Sequence, residues 1–220
     1  MNRVRVLVEG QTEQNFVRDI LKPYFDTRGI FLHAVMFNRT GGIIGYTKAK
    51  KVILRSLKED SGIICTTMVD FYGMPADWPG RSQSKDLTRY LEKAFTVEVS
   101  LFNDIKESFD DSFNSKRFLP YVQMHEFEAL LFSSPEKLAQ SLGNESLTAS
   151  FLEIRKKYQS PEEINDNHDS CPSRRITGIF QDFRKTMNGI SAANHIGLEM
   201  MRQECPHFNE WIEKLERIGK

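Results

Sequence analysis

Short apolar runs alternate with amphipathic stretches along the first half of the chain. The runs are rich in β-branched and aromatic residues, which indicates strands. These predicted strands cover Val4–Val8, Ile30–Phe37, Ile63–Val69 and Phe118–Met124. The stretches between them carry apolar residues at helical spacing. These predicted helices cover Thr12–Tyr24, with Thr12 as the N-cap, Lys48–Leu57 and Lys85–Phe95. Strands separated by helices imply βαβ units and a mostly parallel sheet.

The pattern changes at about Ser133, after which strand signals are weak. Helical spacing prevails there. The predicted helices cover Pro135–Leu142, Thr148–Tyr158, Ser173–Met187, Ala192–Glu204 and Pro206–Ile218. We therefore expect an α/β domain over residues 1–132 and a helical extension over residues 133–220 that packs on it.

Composition and charge exclude some classes of protein. The chain of 220 residues has 30 Lys and Arg against 30 Asp and Glu, which excludes a strongly basic coat but leaves room for a local basic patch. No apolar run approaches the roughly 20 residues that span a bilayer, and the charged N-terminus does not resemble a signal peptide. The three cysteines lack metal-ligand spacing, which favours reduced thiols and a cytoplasmic location.

Acidic residues follow the ends of several predicted strands. Glu9 follows the first strand, Asp70 follows the third, and Glu126 and Glu128 lie just beyond the fourth. Glu13 stands one helical turn after Glu9, so the two side chains can face one point. Because ligands of open parallel sheets bind off the carboxyl ends of the strands, we expect these acids to converge there.

Carboxylate oxygens gathered in this way suit Mg²⁺ or Mn²⁺, which in turn suit phosphodiester cleavage. Each acid also has a structural interpretation. Glu13 in a first helical turn is favoured by the macrodipole, and Asp70 before a Gly- and Pro-rich loop is typical of a turn. Spacing alone leaves both interpretations open.

Histidine and lysine residues add further candidates. His125, beside the acids, is placed either to orient a phosphate or relay a proton, or to cap the next helix. Lys48 and Lys51, on a basic helix with Lys50 and Arg55, either track a phosphate backbone or form a solvated face.

Two arginines open a later predicted helix. Arg174 and Arg175 follow Ser173, a predicted N-cap, and cations there oppose the helix dipole, which favours an anionic partner nearby. Their alternative role is to decorate the first turn. Lys185 is a further candidate, but it lies nearly three turns beyond Arg175 on the same predicted helix.

An ordered set of motifs resembles a known family. The motifs are VEGQTE at Val8–Glu13, GG…Y at Gly41–Tyr46, TTMVDFYGMP at Thr66–Pro75, PYVQMHEFEALLF at Pro120–Phe132, CPSRRI at Cys171–Ile176 and CPHFNEWI at Cys205–Ile212. The first resembles the opening TOPRIM motif of topoisomerases, primases and overcoming-lysogenization-defect (OLD-type) nucleases. The whole set resembles the small TOPRIM-like family catalogued as domain of unknown function 4276.

The resemblance implies roles for particular residues. TOPRIM enzymes carry a Glu after the first strand and an Asp-x-Asp pair after a later one, and these bind divalent metal. Glu9 and Asp70 match the first two positions, and Glu13 matches an acid of OLD-type nucleases. The second Asp of the pair is replaced by Tyr72, which is a departure from the pattern.

Later acids of OLD-type nucleases lie near another strand end, and Glu126 and Glu128 are placed to fill that role. The resemblance implies a nuclease that uses Mg²⁺ or Mn²⁺ on DNA or RNA. It also implies an ABC-type ATPase partner and a role in phage defence. The alternative, which Tyr72 favours, is a catalytically incomplete binding or regulatory subunit of an ATPase complex. The sequence has no Walker A motif, GxSxG elbow or zinc-ligand cluster.

Overall fold

A parallel sheet forms the centre of the computed structural model, which describes residues 2–111, 113–165, 167 and 169–219. Its strands are β1 (Asn2–Val8), β2 (Ile30–Met36), β3 (Ile63–Asp70), β4 (Phe118–Leu119) and β5 (Val122–Gln123). The strand order is β2-β1-β3-β4, with β5 also paired to β3. Every pairing of these strands is parallel. The predicted α/β class with a mostly parallel sheet is confirmed.

The sheet has a hydrophobic core on each face, because side chains alternate along β1. Val4, Val6 and Val8 pack into one core, whereas Leu7 packs into the other. The helices α3 (Tyr46–Glu59) and α4 (Tyr90–Lys106) cover the Leu7 side. Burying each such aliphatic side chain contributes roughly 1.5–3 kcal/mol, so the cores on the two faces hold the strand ends in place.

The last predicted strand is wrong in one respect: it is broken into β4 and β5 at Pro120 and Tyr121. Proline has no N–H to donate to a ladder. Threonine hydroxyls of β3 replace the missing bonds. The Thr67 hydroxyl donates to the Tyr121 carbonyl at 2.8 Å and accepts from the Tyr121 N–H at 2.9 Å. Met124 and the residues after it therefore leave the sheet beside the end of β3.

The first helical segment consists of α1 (Gln11–Phe16), a π-helical turn (Val17–Leu21) and α2 (Lys22–Asp26). Its N-cap is Gly10, so the predicted Thr12 cap is wrong by two residues. The predicted helix Lys85–Phe95 is also displaced. Leu87 and Arg89 are extended, and α4 begins only at Tyr90.

The second half of the chain is helical as predicted, with different breaks. Its helices are α5 (Pro135–Ser141), α6 (Thr148–Arg155), α7 (Pro172–Ile179), α8 (Ile190–Ile196), α9 (Leu198–Glu204) and α10 (Pro206–Glu216). The predicted helix Ser173–Met187 ends early, because Phe180 is extended, and Cys171 rather than Ser173 is its N-cap. The predicted helix Ala192–Glu204 is interrupted at Gly197, whose φ is 84°.

The C-terminal helices pack directly on the sheet. Phe208, Trp211 and Leu215 of α10 share the core of Val4, Val6 and Val8. The Trp211 indole donates to the Thr66 hydroxyl of β3 at 2.9 Å. All three cysteines are buried free thiols. Within the described ranges, no helix is both long and apolar enough to cross a bilayer.

Candidate functional site

Three carboxylates meet where β1 and β3 end side by side. Glu9 directly follows β1, and its Oε2 accepts the N–H of Asp70, the last residue of β3, at 3.3 Å. Glu13, in the first turn of α1, accepts the Gly10 N–H through Oε2 at 2.9 Å. Asp70 and Glu13 are almost fully buried. The predicted convergence of these acids at the sheet edge is therefore present in the structure.

A glycine pair brings a second loop against this edge. Gly41 and Gly42 have φ values of 74° and 82°, which side chains other than glycine rarely adopt. A Cβ on Gly41 would lie 3.7 Å from the Gly10 Cα. The loop after β2 therefore packs closely on the turn that carries Glu9.

The segment after β5 turns sharply toward the same acids. His125 has a φ of 62°, and it is the one residue other than glycine with a positive φ in the described ranges. The His125 carbonyl accepts the Tyr72 N–H at 2.7 Å, and the Phe127 N–H donates to Asp70 Oδ1 at 3.0 Å. Strained backbone of this kind clusters at functional sites. Here it places Glu126 and the turn Phe127–Ser133 beside Asp70.

Lys185 is the cation that faces the cluster. Its Nζ lies 3.1 Å from Glu126 Oε1 and 3.0 Å from Glu128 Oε2. Glu126 also accepts the N–H and the hydroxyl of Ser173 at 2.8 and 3.0 Å. Because α7 ends at Ile179, the chain folds back, and Lys185 reaches the site that the predicted continuous helix kept it away from.

Burial and mutual repulsion shape the pKa values of these acids. Burial, reinforced by Glu13, raises the pKa of Glu9 to about 7. Burial and the charges of Glu9, Glu13 and Glu128 raise the pKa of Asp70 well above its usual range. Burial also raises the pKa of Glu128 to about 7, although Lys185 opposes the shift. Within the described residues, the cluster thus brings together more carboxyl groups than Lys185 can balance, and these acids hold their protons to higher pH than free carboxyl groups do.

Glu126 behaves differently from the other acids. Burial would raise its pKa, but Lys185 and the two bonds from Ser173 lower it overall. For Lys185, burial would lower the pKa, but Glu128 and Glu126 raise it. Glu126 and Lys185 therefore form a charged pair at the rim of the cluster.

The donor chemistry of the cluster fits a hard divalent cation, but the side chains do not yet surround one. Oxygens of Glu9, Glu13, Asp70 and Glu128 supply the ligand type that Mg²⁺ and Mn²⁺ prefer. Glu128 Oε1 is buried and has no hydrogen-bond partner among the described residues. Among the residues that the structure describes, no group of three or more His, Cys, Asp or Glu side chains is arranged to hold a metal ion. Binding would require the carboxylates to move inward.

The remaining predicted site residues lie on α3, on α7 and, in the case of His125, just after β5. Lys48 and Lys51 are exposed on α3, whose Lys50 is engaged by Asp104 at 2.7 Å. Arg174 is exposed on α7 beside Glu126 in a shared groove. Arg175 is not available to a ligand in the same way. Its guanidinium donates to the Ser170 carbonyl at 2.6 Å and to the Tyr158 hydroxyl at 2.8 Å.

The His125 side chain lies on another side of the strand end. It lines a cavity of about 730 Å³ together with Arg89 and Lys93 of the α4 N-terminus. Its ring also contacts Phe71 edge to face, with centroids 6.2 Å apart. The backbone at His125 borders the acids through the bonds of Tyr72 and Phe127.

Sequence reasoning gave too little weight to Lys185 and assigned Ser173 the wrong role. Both residues contact Glu126, which lies far from them in the sequence. The only local signal for Lys185 was the glycine Gly178, which precedes the early end of α7.

Comparisons with known proteins show which family the chain matches. The family model described as Domain of unknown function (DUF4276) matches residues 8–216. A solved structure of the C-terminal region of the Xanthomonas campestris pv. campestris OLD protein, phased with iodine, is 16% identical with a TM-score of 0.45, covering 100% of this chain and 96% of that chain. A second structure of that region, phased with mercury, is 14% identical with a TM-score of 0.47, covering 100% and 97%. No curated protein matches the chain.

Proposed function

Because the family model covers residues 8–216, the chain belongs to the DUF4276 family, and from its strand-end acids we propose that it is a divalent-metal-dependent nuclease or a related phosphoryl-transfer enzyme. One observation carries the proposal. Four carboxylates from separate strand ends and turns are buried together, and the pKa values of Glu9, Asp70 and Glu128 are all raised. Such an excess of buried negative charge is typical of a site that binds cations.

Each residue has a role in this proposal. Glu9, Glu13, Asp70 and Glu128 would hold Mg²⁺ or Mn²⁺, which when bound stabilises the negative charge of a phosphodiester during cleavage. Glu9, with a pKa of about 7, is also suited to accept a proton from water. Lys185 presents its ammonium at the rim, where it can attract a phosphate.

Glu126 and His125 support this arrangement in different ways. Glu126 is committed to Lys185 and Ser173, so we propose that it orients the lysine and becomes a metal ligand only if the cluster closes. His125 turns the chain through its left-handed backbone and thereby positions Glu126 and Glu128, which follow it. Its imidazole lines the cavity that it shares with Arg89 and Lys93, where a phosphate would be in reach.

We propose that the chain works in the cytoplasm with an ABC-type ATPase, in prokaryotic defence against phage. The motif resemblance supports this proposal. Co-purification from the native host tests it, and a stable ATPase complex is expected.

A second candidate function is a regulatory subunit that retains this scaffold without catalysis. Tyr72 takes the place of the second Asp of the TOPRIM pair, and the described acids form no ready three-ligand group. This alternative predicts the same partner complex but no cleavage of nucleic acid by the chain in any divalent metal.

Calorimetric titration with Mn²⁺ tests the proposal directly. We expect saturable binding by the wild type and at least about tenfold weaker binding by Glu9→Gln with Asp70→Asn. Glu153→Gln, which removes an exposed carboxylate of α6, is the matched control and should bind as the wild type does. Cleavage of DNA and RNA oligonucleotides is then measured in Mg²⁺ and Mn²⁺, alone and with the ATPase. Metal binding without cleavage in either setting would favour the regulatory subunit, and no binding would refute the metal site.

A further inference from the structure

A surface groove of about 420 Å³ opens beside the acidic cluster. It is lined by Tyr72, Glu126, Ser173, Arg174, Thr177 and Lys185, among others. The groove thus begins at the Glu126–Lys185 pair and extends along the first turns of α7. Its volume lies within the roughly 300–1,000 Å³ range of small-ligand sites, which suits one nucleotide and is too small for a duplex.

Tyr72 gives the groove an aromatic wall. The residue is half-buried, and its backbone N–H is fixed to the His125 carbonyl at 2.7 Å. The neighbouring Phe71 is fully buried and packs with Arg81 and His125. Within the described part of the chain, by contrast, the Tyr72 ring has no aromatic or cation–π partner and its hydroxyl makes no hydrogen bond. The ring is therefore held at the groove without a partner among the described residues.

Arg174 gives the groove an unengaged cation. The guanidinium of the neighbouring Arg175 donates hydrogen bonds to the Ser170 carbonyl and the Tyr158 hydroxyl. The Arg174 carbonyl accepts the Thr177 hydroxyl, but its guanidinium makes no hydrogen bond or ion pair with any residue that the structure describes. An exposed arginine next to a fixed tyrosine offers a phosphate-binding fork and a stacking surface in the same groove.

We infer that this groove binds one unpaired nucleotide of a single-stranded nucleic acid, with the base on Tyr72 and a phosphate on Arg174. The inference rests on the proposed function and specifies its substrate. In a duplex each base is stacked on both faces, so its face is not offered to a tyrosine, whereas a single strand or a frayed end offers it. Tyr72, where the TOPRIM pattern has its second acid, then serves substrate selection.

Binding of fluorescein-labelled oligonucleotides, measured by anisotropy in EDTA, tests the inference without any cleavage. The probes are single-stranded DNA, single-stranded RNA and the matching DNA duplex, all of one sequence. We expect tighter binding of a single strand than of the duplex. Tyr72→Ala and Arg174→Ala should each weaken single-strand binding about tenfold, the effect expected of one stacked base or one phosphate contact. Tyr72→Phe, which keeps the ring, should bind as the wild type does.

A matched control and a stacking signal sharpen the test. Arg184→Ala removes another exposed arginine, one that does not line the groove, and should leave binding unchanged. A single 2-aminopurine in the oligonucleotide should show quenched fluorescence with the wild type and with Tyr72→Phe but not with Tyr72→Ala.

Equal binding of duplex and single strand, or unchanged binding by Tyr72→Ala and Arg174→Ala, would overturn the inference even if the protein proves to be a nuclease. Selective single-strand binding without cleavage in Mg²⁺ or Mn²⁺ would support the inference and count against the proposed catalysis alone.

Discussion

Among the residues that the structure describes, buried carboxylates lie under α10 and at the carboxyl end of the sheet, and the two places differ in what faces the charges. Under α10, Glu162 accepts the N–H groups of His207 and Phe208, each at 3.0 Å. Glu98 accepts the Val122 N–H at 3.0 Å and lies 2.9 Å from His207 Nε2. Burial would lower the pKa of His207, but Glu98 raises it overall, so the ring keeps its proton to a higher pH than a free histidine does.

At the carboxyl end of the sheet, the acids face mainly other carboxylates rather than hydrogen-bond donors and cations. Asp70 receives the Phe127 N–H, yet three neighbouring carboxylates add to its burial and raise its pKa. Glu128 keeps one buried oxygen without a hydrogen bond to any described residue. Lys185 is the one cation among the causes of these shifts, and Glu126 already engages it. Burial also raises the pKa of Glu162, but His207 and two backbone N–H groups oppose that shift, whereas the strand-end acids face mainly other carboxylates.

The largest expected difference is in stability. Glu162→Ala should lower the free energy of unfolding by about 3–5 kcal/mol, because it leaves His207 and the first N–H groups of α10 without their acceptor. The midpoint of thermal unfolding should then fall by about 6–20 °C. Asp70→Asn, measured in EDTA, should change stability by about 1 kcal/mol or less, or raise it, because it removes repulsion.

Urea unfolding of both variants, followed by circular dichroism, provides the measurement. Glu153→Gln controls for the loss of an exposed carboxylate. A loss of stability in Asp70→Asn as large as that in Glu162→Ala would break the comparison, since both acids would then be structural.

The next effect in size is stabilisation by a cation. At a Mn²⁺ concentration of about 100 times its Kd, binding to the folded state alone adds about 2.7 kcal/mol, or about 5–10 °C in the unfolding midpoint. The rise should disappear in Asp70→Asn and persist in Glu153→Gln. An equal rise in both variants would mean that the cation binds elsewhere.

The strand ends were predictable from the sequence because local signals fixed them. The first and third predicted strands stop at an acid, and parallel pairing then brings Glu9 and Asp70 together. The predicted helix ended at Phe95, whereas α4 continues to Lys106. Thr96, Val97 and Val99 disfavour a helix, but Val97 and Leu101 pack on the sheet. Tertiary packing overrode propensity there.

Long-range contacts set the rest of the site. The contact of Lys185 with Glu126 joins residues 59 positions apart and depends on the end of α7 at Ile179. The sequence Gln181–Asp182 after that end contains no Gly or Pro to mark it. The break at Gly197, in contrast, had a visible signal in the glycine itself, since φ there is 84°. The fold class was thus readable, but the cation of the site was not.

The smallest expected effect is the pH dependence of the metal-free protein. Burial raises the pKa of Glu9 from its ordinary 4.5 to about 7. Between these values the folded protein retains a proton that the unfolded chain has lost, so the free energy of unfolding falls as pH rises from about 4.5 to 7. Glu9→Gln has no such proton. The full shift corresponds to about 3.4 kcal/mol, but Glu9 is partly exposed to solvent, which screens the effect. In EDTA at pH 8 the variant should therefore be more stable than the wild type by roughly 1 kcal/mol, and at pH 4.5 the two should be about equal.

The α10 acids provide the contrast for this measurement. His207 also has a raised pKa, so its contribution to stability is complete below its ordinary 6.5 and is lost only as pH rises through its higher folded value. That loss is common to the wild type and Glu9→Gln and cancels in their difference. Midpoints of unfolding at pH 4.5, 6, 7 and 8 for both proteins therefore isolate the strand-end site. A difference that stays constant with pH would show that the pKa of Glu9 is the same in the folded and unfolded states, and that its neighbours already compensate for its burial.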